Sequence, residues 1–596
     1  MTGAARADVS ESDSGPGESG TWAAYGPSGI ATPAAAAVAY VLATVLTDPV
    51  FVADTPDMAV SAVARVLGQN CTFLEPGHLL WRPTGYVLLE LLGTAKAGGE
   101  MDGLLRSSQI QLGWTAWVAG LIAIVSCAVW LQRRVGSVAA TAFGTSVILV
   151  SKVFLNYSQV GASYLPALAC LMVALLVLSN DDSPSYASIA AGALLGASVL
   201  LWGAFAVALP AAIACPILFG SAVRRGMVRS GLAVLGGALT AVVAAAWVTA
   251  FLEFDSLAEL GGWAATADHG ISTGGFPRAV LGFARSYLET GDYGRLVKRY
   301  LLGNTADPVS ARELFGFPLI GILGFYGGIL LAIVVARRHR LAARSLTFFA
   351  INAIPVAAFA IAWQGGDLER YLPLVPGVAL LTAVAFAAAS RWPRVILVMW
   401  LVMILVPNAL TLGRSAVAAD RERMRATMRD VETAGRPRLL IFSHWQDERV
   451  QFSRNYPSDA KPLPVRFYDL LSPGTSSVEG WRGRAAARIR SAWDAGTEVF
   501  VSERLLSPSP RREWSWVDGD DPRVSWADLH RYFTALSYGQ VIGLQGDGFL
   551  PLPPTPSNRA VLEAHRTASG TSAPSGCNLP AVVPSLAAAG HFRGAR

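Results

Sequence analysis

The sequence has few charged residues and almost no lysine. Only 15% of its 596 residues are Asp, Glu, Lys or Arg, whereas 53% are hydrophobic, and the mean hydropathy is +0.42. Ordinary soluble domains carry about 25% charged residues, so this composition excludes a typical soluble protein. Lysine occurs only at Lys96, Lys152, Lys298 and Lys461, and the remaining basic residues are arginine. Because the arginines are scattered between apolar stretches, this bias indicates a GC-rich bacterial genome rather than nucleic-acid binding.

Cysteine is also scarce. The five cysteines are Cys71, Cys127, Cys170, Cys215 and Cys577, and no two of them form a C-x-x-C pair. Their spacing therefore indicates neither a disulfide framework nor a zinc site. Residues 1–27 are rich in Ser, Gly and Asp and lack the basic n-region of a signal peptide, so we expect a disordered cytoplasmic tail there.

Long apolar stretches dominate the chain as far as residue 413. A membrane-spanning helix needs roughly 20 apolar residues, and this length predicts about eleven helices. They fall at about 29–47, 110–131, 136–155, 163–179, 186–201, 203–220, 231–252, 316–336, 345–363, 371–389 and 395–413. No polar loop divides the pair within 186–220, so that boundary stays open. We predict a polytopic α-helical membrane domain over 28–413.

The arginines of the short loops give an independent test of this count, because cytoplasmic loops are enriched in Arg and Lys. If the N-terminus is cytoplasmic, every short basic cluster lies on the inner side. The clusters are Arg133-Arg134; Arg224, Arg225 and Arg229; Arg337, Arg338, Arg340 and Arg344; and Arg391 and Arg394. The same arrangement places loops 48–109 and 252–315 outside, in a multi-pass protein of the bacterial inner (plasma) membrane.

The sequence changes character after about residue 414, where it becomes more charged and is interrupted by proline. Residues 436–443 and 497–503 have the composition of buried strands, and 481–496 has the pattern of an amphipathic helix. This order predicts a small extracytoplasmic α/β domain over 414–550. The Pro-, Ser- and Ala-rich residues 551–596 are predicted to form a disordered tail.

Two acids, Asp54 and Asp57, follow the first apolar stretch in FVADTPDMAVSA (51–62). An acid at a helix start often caps the helix and interacts favourably with its dipole, which gives both residues a structural role. A carboxylate at the boundary between water and lipid is also suited to act as a general base, because partial desolvation raises its proton affinity. Spacing alone does not decide between these roles.

Other polar residues near the predicted outer boundary are candidates for a site. Lys152 lies within an apolar stretch, where a charge is costly unless it is paired or reaches the interface. For His78, a structural hydrogen-bonding role and a role near a phosphate or a cation are both open. Arg370 is either a boundary arginine that reaches out to the interface or a phosphate ligand. The aromatic and basic residues of loop 252–315 suit sugar stacking, lipid headgroups or an interfacial aromatic belt.

The first outer loop resembles that of the GT-C superfamily of membrane glycosyltransferases, which includes protein O-mannosyltransferases and lipid A aminoarabinose transferases. In that family an acid after the first span is followed by an Ala-rich helix and then by a His-apolar-apolar stretch that ends in Pro. The matching residues are Asp54, Asp57, Met58, Ala59, Ala64, His78, Leu79, Leu80 and Pro83. GGDLERYLPLVPGVALL (365–381) is similar to the Arg-Tyr entry to a late span of the family, with Arg370, Tyr371, Pro373 and Pro376.

Two departures from the family pattern weigh against a metal site and against any particular subfamily. Met58 stands where the family often has Tyr, and NYSQVGASYLP (156–166) lacks the acid often found in the second outer loop.

The resemblance implies a GT-C-like fold and transfer of a sugar from a polyprenyl-phosphate donor to a protein, lipid or glycan acceptor on the outer face, usually with inversion. It implies Asp54 as the base, with Asp57 assisting or orienting it. Arg370 is the first candidate for the donor phosphate because a guanidinium is always charged and offers paired donors. His78, Lys152 and Tyr371 are further phosphate candidates. If the reaction uses a divalent cation, Glu75 and His78 are its candidate ligands.

Two non-enzymatic interpretations of the sequence remain open. A lipid or polysaccharide transporter or flippase would have a similar number of spans, but it would be expected to show broken helices and polar residues at mid-membrane. A non-catalytic membrane anchor that presents an outer binding domain would leave the first-loop acids without a role. The sequence identifies neither the sugar nor the acceptor.

Overall fold

The structure is a computed structural model that describes residues 26–49, 55–66, 73–92, 101–265, 275–290, 310–363, 365–413, 438–442, 465–469, 481–506, 526–540 and 549–567. The predicted tail at 1–27 lies almost wholly outside these residues, and the first helix begins at Gly26. The described residues are mostly helical up to residue 413 and mixed α/β after residue 437.

The first half of the helical part runs from α1 to α10. The helices are α1 Gly26–Leu46, α2 Thr55–Val66, α3 Trp81–Leu91, α4 Met101–Val135, α5 Val138–Leu149, α6 Lys152–Tyr157, α7 Tyr164–Leu178, α8 Ser185–Leu201, α9 Leu209–Phe219 and α10 Val223–Leu252. Short 3-10 turns at Pro76–His78 and Gly203–Ala208 precede α3 and α9.

The second half contains α11 Leu257–Ala265, α12 Gly275–Tyr287, α13 Ala311–Leu314, α14 Phe317–Ala336, α15 Ala342–Ala362, α16 Val375–Ala388 and α17 Arg391–Leu412. A 3-10 segment, Leu368–Leu374, leads directly into α16 and carries the Arg-Tyr motif.

Six described helical segments are long and apolar enough to cross a membrane. They are Ser107–Val135, Val223–Leu252, Pro318–Ala336, Ala342–Ala362, Leu368–Ala388 and Arg391–Leu412. Shorter apolar segments lie at Ala31–Leu46, Val138–Leu149, Tyr164–Leu178, Ser185–Leu201 and Gly203–Phe219. Each predicted span therefore coincides with an apolar helical segment, while the number that crosses the bilayer stays a prediction.

The helices differ strongly in how much protein covers them. The segment Leu368–Ala388 is 83% buried, whereas only 22% of the apolar stretch in α10 is buried. Large side chains such as Leu239 and Val243 project from α10 with more than half of their surface exposed. A helix with such a face is stable where lipid tails replace water around it. We infer that α16 lies in the centre of the bundle and α10 at its periphery.

Small residues allow α8 and α10 to approach closely. A Cβ atom on Gly192 would lie 1.9 Å from the Ala233 carbonyl oxygen, and one on Gly236 would lie 2.1 Å from the Ile189 carbonyl oxygen. These contacts leave no room for a side chain, which is the packing that membrane helices use in place of a hydrophobic driving force.

The structure corrects the predicted single span at 136–155. Helix α5 ends at Leu149, and α6 begins anew at Lys152. Ser151 produces the break, because its hydroxyl oxygen accepts a hydrogen bond from the Phe154 N–H at 3.4 Å and so caps α6. The open boundary within 186–220 falls at Trp202, whose backbone is extended with φ −152° and ψ 112°.

The C-terminal elements form a four-stranded sheet in the order β2-β1-β3-β4. The strands are β1 Arg438–Phe442, β2 Val465–Asp469, β3 Glu498–Ser502 and β4 Phe549–Leu552. β1 pairs in parallel with β2 and β3, and β4 pairs antiparallel with β3. Helices α18 Trp481–Asp494, α19 Trp526–Thr534 and α20 Pro556–Thr567 accompany the sheet, with a 3-10 turn at Glu503–Leu506. The predicted strand, helix and strand thus recur within two residues of their expected bounds.

The predicted tail from residue 551 is wrong for residues 551–567. Leu552 in β4 and Leu562 in α20 are both buried in the core of the sheet. The proline-rich composition misled the prediction, because β4 is an edge strand, where a missing N–H can be tolerated. Residues 568–596 lie outside the described part of the chain, and the predicted domain limits at 414 and 550 stay predictions.

Candidate active site

The predicted site residues described by the structure lie at one end of the helical bundle. His78 ends the first 3-10 turn, Lys152 begins α6 and Arg370 lies in the segment before α16. The other end of the bundle is marked by Arg134 and Arg229, whose guanidinium groups donate to carbonyl oxygens at the end of α7 and just beyond it. The candidate site and the arginines predicted to be cytoplasmic are therefore separated by the length of the bundle.

Arg370 is buried and surrounded by aromatic rings. Its guanidinium carbon lies 5.6 Å from the centroid of the Trp202 ring, 5.8 Å from that of Phe359 and 5.5 Å from that of Trp363. The Asp367 carboxylate forms an ion pair with Arg370 at 3.7 Å, a distance longer than that of a hydrogen bond. Ring faces stabilise a cation through their quadrupole without using its in-plane N–H groups. Such a guanidinium is suited to bind an oxyanion through its edge.

A chain of rings joins His78 to this arginine. The His78 and Tyr164 ring centroids are 6.0 Å apart, and those of Tyr164 and Trp202 are 4.8 Å apart. Tyr157 packs edge-on against Tyr164 at 4.8 Å. The structure thus brings together His78 and Arg370, which the sequence separates by most of the membrane domain. We refer to His78, Tyr157, Tyr164, Trp202 and Arg370 as the aromatic cluster.

His78 is held in a defined orientation. Its Nδ1 lies 2.8 Å from the Ser163 hydroxyl oxygen and 3.3 Å from the Leu201 carbonyl oxygen. A carbonyl oxygen only accepts hydrogen bonds, so this pair favours the tautomer with the proton on Nδ1. Nε2 is then the acceptor of the ring. The contacts of Nδ1 thus give His78 a structural role.

Glu75, the other candidate for a metal ligand, forms an ion pair with Arg82, with 2.5 Å between the Glu75 Oε2 and Arg82 Nη2 atoms. Both side chains are largely buried, so each charge offsets the desolvation of the other. Among the described residues, no group of three or more His, Cys, Asp or Glu side chains is arranged to hold a metal ion. The Glu75 carboxylate is thus engaged by Arg82, and a divalent cation at Glu75 and His78 stays a prediction.

Lys152 has a carboxylate partner that the sequence did not suggest. Its Nζ atom lies 2.6 Å from the Glu289 Oε2 atom, and both side chains are about nine-tenths buried. The backbone N–H of Glu289 donates to the Asn408 side-chain oxygen at 2.7 Å. The charge of Lys152 is thus balanced within the protein, which explains how an apolar stretch accommodates it.

Tyr371 and Tyr157 tie the Arg-Tyr segment to its neighbours. The Tyr371 hydroxyl lies 2.6 Å from the Ala279 carbonyl oxygen and 2.7 Å from the Gly365 carbonyl oxygen, both of which accept from it. The hydroxyl thus anchors the Arg-Tyr segment to α12, and the phosphate contact expected for Tyr371 stays a prediction. The Tyr157 hydroxyl donates to the Glu369 carboxylate at 2.8 Å. Glu369, beside Arg370, was missed because nothing in the local sequence distinguishes it.

The first-loop acids are only partly covered by the structure. Asp54 lies outside the described residues, and the backbone of Asp57 lies in the first turn of α2. Thr55, the first residue of α2, is buried against Gly161, where a Cβ atom would lie 2.8 Å from the Thr55 methyl group. Because Gly161 lies between Tyr157 and Tyr164, α2 begins at the same end of the bundle as the aromatic cluster.

Two surface grooves lie away from this cluster. One, of about 560 Å³, is found where α16 meets α17, and the other, of about 470 Å³, is lined by Arg65 and residues 250–253. Neither is lined by His78 or Arg370. The two grooves therefore do not coincide with the aromatic cluster. The side-chain chemistry of the cluster is the better guide to where a reaction would take place.

Sequence comparisons give no family for the chain. No family model matches it. A stretch of 53 residues is 43% identical to tRNA dimethylallyltransferase from Gluconacetobacter diazotrophicus, which is 9% of this chain and 16% of the length of that curated protein. A match this short shows neither a shared family nor a shared activity.

Several solved structures are similar along most of the chain. ArnT from Cupriavidus metallidurans, bound to undecaprenyl phosphate, matches with a TM-score of 0.48 and 12% identity over 88% of this chain and 97% of that one. The Archaeoglobus fulgidus oligosaccharyltransferase in the apo form gives 0.43 and 12% over 86% and 73%. Arabinofuranosyltransferase AftD from Mycobacteria gives 0.38 and 14% over 88% and 40%.

These neighbours are membrane glycosyltransferases of the GT-C superfamily, the family that two motifs of the sequence resemble. TM-scores below 0.5 and identities of 12–14% assign no activity to this chain by themselves. Its function is argued below from its own residues.

Proposed function

We propose that the chain is an integral membrane glycosyltransferase of the GT-C type, which transfers a sugar from a polyprenyl-phosphate donor to an acceptor on the extracytoplasmic face. The aromatic cluster carries this proposal. Buried Arg370 supplies a phosphate ligand, and Trp202 and Trp363 supply faces of the kind on which sugars stack. The two halves of a sugar-phosphate headgroup thus have matching chemistry at one end of an apolar bundle.

The proposed reaction is a single displacement. Asp54 removes the proton of the acceptor, and the acceptor atom forms a bond to the anomeric carbon. The bond between that carbon and the phosphate oxygen breaks, and polyprenyl phosphate leaves with the electron pair. Arg370 stabilises the negative charge on the leaving phosphate. Attack opposite the leaving group inverts the anomeric configuration, and Asp57 assists or orients the base.

The other polar residues have supporting roles in this proposal. His78 offers its Nε2 side to the headgroup while Nδ1 is held by Ser163 and Leu201. Lys152 adds positive charge that Glu289 largely balances, and Tyr371 anchors the Arg370 segment to α12. The proposal contains no step through a divalent cation. It places the N-terminus in the cytoplasm and residues 414–550 outside, in the inner membrane of a bacterium.

A transfer assay tests the proposal. The purified full-length chain is incubated with radiolabelled sugars on polyprenyl phosphate and with membrane acceptors. We expect transfer in the wild type and a loss of about 100-fold or more for Asp54→Asn, because a general base contributes roughly that factor. Transfer by folded Asp54→Asn at the wild-type rate would overturn Asp54 as the base. Vesicle translocation of the lipid without any transfer would favour a transporter.

A binding assay tests Arg370 separately. Undecaprenyl phosphate, which is bound in one of the similar structures, is the first lipid to use. Arg370→Gln should weaken its binding by roughly 10- to 150-fold, because a hydrogen bond to a charged group contributes about 1.5–3 kcal/mol. Arg312→Gln is the matched control, since Arg312 is exposed and lies in α13. Equal binding by both variants would contradict the phosphate role of Arg370.

A further inference from the structure

The groove where α16 meets α17 has a charged end and an apolar end. Arg391 and Arg394 line it close to the start of α17, and Val395, Val398 and Met399 line it further along the same helix. With a rise of 1.5 Å per residue, Arg391 and Met399 are separated by about 12 Å along the helix axis. The groove therefore changes from cationic to apolar over a distance comparable to the headgroup and upper tail of a phospholipid.

Arg394 is fixed within this groove. Its guanidinium carbon lies 5.2 Å from the centroid of the Phe386 ring, and its Nη2 donates to the Ala389 carbonyl oxygen at 3.1 Å. A guanidinium has five N–H donors, so this one bond leaves most of its hydrogen-bonding capacity for a ligand. Pre-positioning of the side chain reduces the entropy that binding a ligand would otherwise cost.

The surroundings of the groove are suited to lipid rather than to water. Only 28% of the apolar stretch of α17 is buried, and Trp392 and Met399 are 73% and 62% exposed. Tryptophan is enriched at the boundary between headgroups and tails, where one end of its ring system is wet and the other apolar. Trp392 stands between the two arginines in sequence, which places the polar end of the groove at such a boundary.

We propose that this groove is a binding site for an anionic phospholipid. The phosphate group lies between Arg391 and Arg394, and an acyl chain lies along Val395, Val398 and Met399. Charge complementarity identifies this occupant, because these arginines belong to the basic clusters predicted to face the cytoplasm, where the leaflet is anionic. Helix α16 separates the groove from the Arg370 segment, so the site is distinct from the proposed catalytic centre.

Native mass spectrometry of the full-length chain in detergent tests the site. The protein is titrated with phosphatidylglycerol and, in parallel, with phosphatidylcholine of the same acyl chains. We expect selective retention of phosphatidylglycerol, and a loss of about 30-fold in Arg391→Gln/Arg394→Gln, because each arginine near an anionic headgroup contributes a factor of roughly five. Ser390→Glu places a negative charge on an exposed residue of the same groove and should reduce retention even if the double variant fails to fold.

Arg337→Gln/Arg338→Gln is the matched control, because it removes two exposed arginines from the loop that follows α14. This control should retain the lipid as the wild type does. Equal retention of the two lipids, or equal losses in both double variants, would overturn the proposal in favour of diffuse attraction. Competition by water-soluble glycerol phosphate as strong as that by phosphatidylglycerol would also overturn it, since the acyl chain would then contribute nothing.

Discussion

Replacing Asn408 with alanine removes three hydrogen bonds from an apolar part of the molecule. The side chain is fully buried in α17, where its oxygen accepts from the Glu289 N–H at 2.7 Å. Its nitrogen donates to the Val150 carbonyl oxygen at 2.7 Å and to the Tyr287 carbonyl oxygen at 2.6 Å. Carbonyls at helix ends have no partner within their own helix. The Asn408 amide therefore provides a hydrogen-bond partner for the carbonyl oxygens at the ends of α5 and α12. It also holds the backbone of Glu289, the residue that pairs with Lys152.

The cost of the substitution follows from these three bonds. A hydrogen bond contributes roughly 0.5–1.5 kcal/mol net, and bonds between membrane helices average about 0.6 kcal/mol. Asn408→Ala leaves three buried backbone groups without their partner, so we expect a loss of about 2–4 kcal/mol. Asn180→Ala is the matched control, because the Asn180 amide nitrogen donates to the nearby Ser183 hydroxyl, at 3.0 Å. The control should lose less than about 1 kcal/mol.

Thermal and denaturant unfolding of the purified protein in detergent measures both losses. Asn408→Asp sharpens the test, because one carboxylate oxygen would face two carbonyl oxygens. The variant loses both donated hydrogen bonds, so we expect it to be at least as unstable as Asn408→Ala. Stability of Asn408→Ala within about 0.5 kcal/mol of the wild type would refute the reasoning.

Two further substitutions test how the Arg-Tyr segment is held. Gly282→Ala would place a Cβ atom 1.8 Å from the Gly365 carbonyl oxygen. Because a backbone oxygen cannot move aside as a flexible side chain can, we expect α12 to separate from this segment. Both transfer and Tm should then fall. Unchanged transfer and Tm would contradict that packing. Tyr157→Phe removes the hydrogen bond to Glu369 but keeps the ring, so transfer should fall by less than tenfold, since roughly 1 kcal/mol corresponds to a factor of about five. A loss of 100-fold in transfer would mean that the hydroxyl itself takes part in the reaction.

The helices of the membrane domain could be predicted from the sequence because length and apolarity determine which segments can cross a bilayer. Breaks within them were harder to predict. Ser151 starts a new helix with a hydroxyl of its own, yet a serine within VILVSKVFL changes the mean hydropathy of that stretch little. The residues after 551 show the opposite error, because their proline content concealed the apolar positions Leu552 and Leu562.

Only those residues of the candidate site that belong to a sequence motif could be predicted. Arg370 and His78 were found through short patterns along the chain, and both lie in the aromatic cluster. Their partners were not predictable, because Trp202 and Glu289 come from distant segments and have no local signature. Contacts of this kind depend on how α8 and α12 pack, which neither hydropathy nor charge spacing describes.

Lys152 and Arg370 show two ways of stabilising a buried cation, and the difference bears on which of them serves a ligand. Glu289 offers Lys152 a full opposite charge at 2.6 Å, so a phosphate that approached this lysine would have to compete with a carboxylate. Arg370 lies against the ring faces of Trp202 and Trp363, and it has a longer ion pair with Asp367, at 3.7 Å. The Arg370–Asp367 contact is longer than the Lys152–Glu289 contact, and the Asp367 side chain is more exposed than that of Glu289, so a phosphate would displace Asp367 more easily than Glu289. This difference supports the proposal that Arg370 is the primary phosphate ligand and that the Lys152–Glu289 pair holds α6 beside the site.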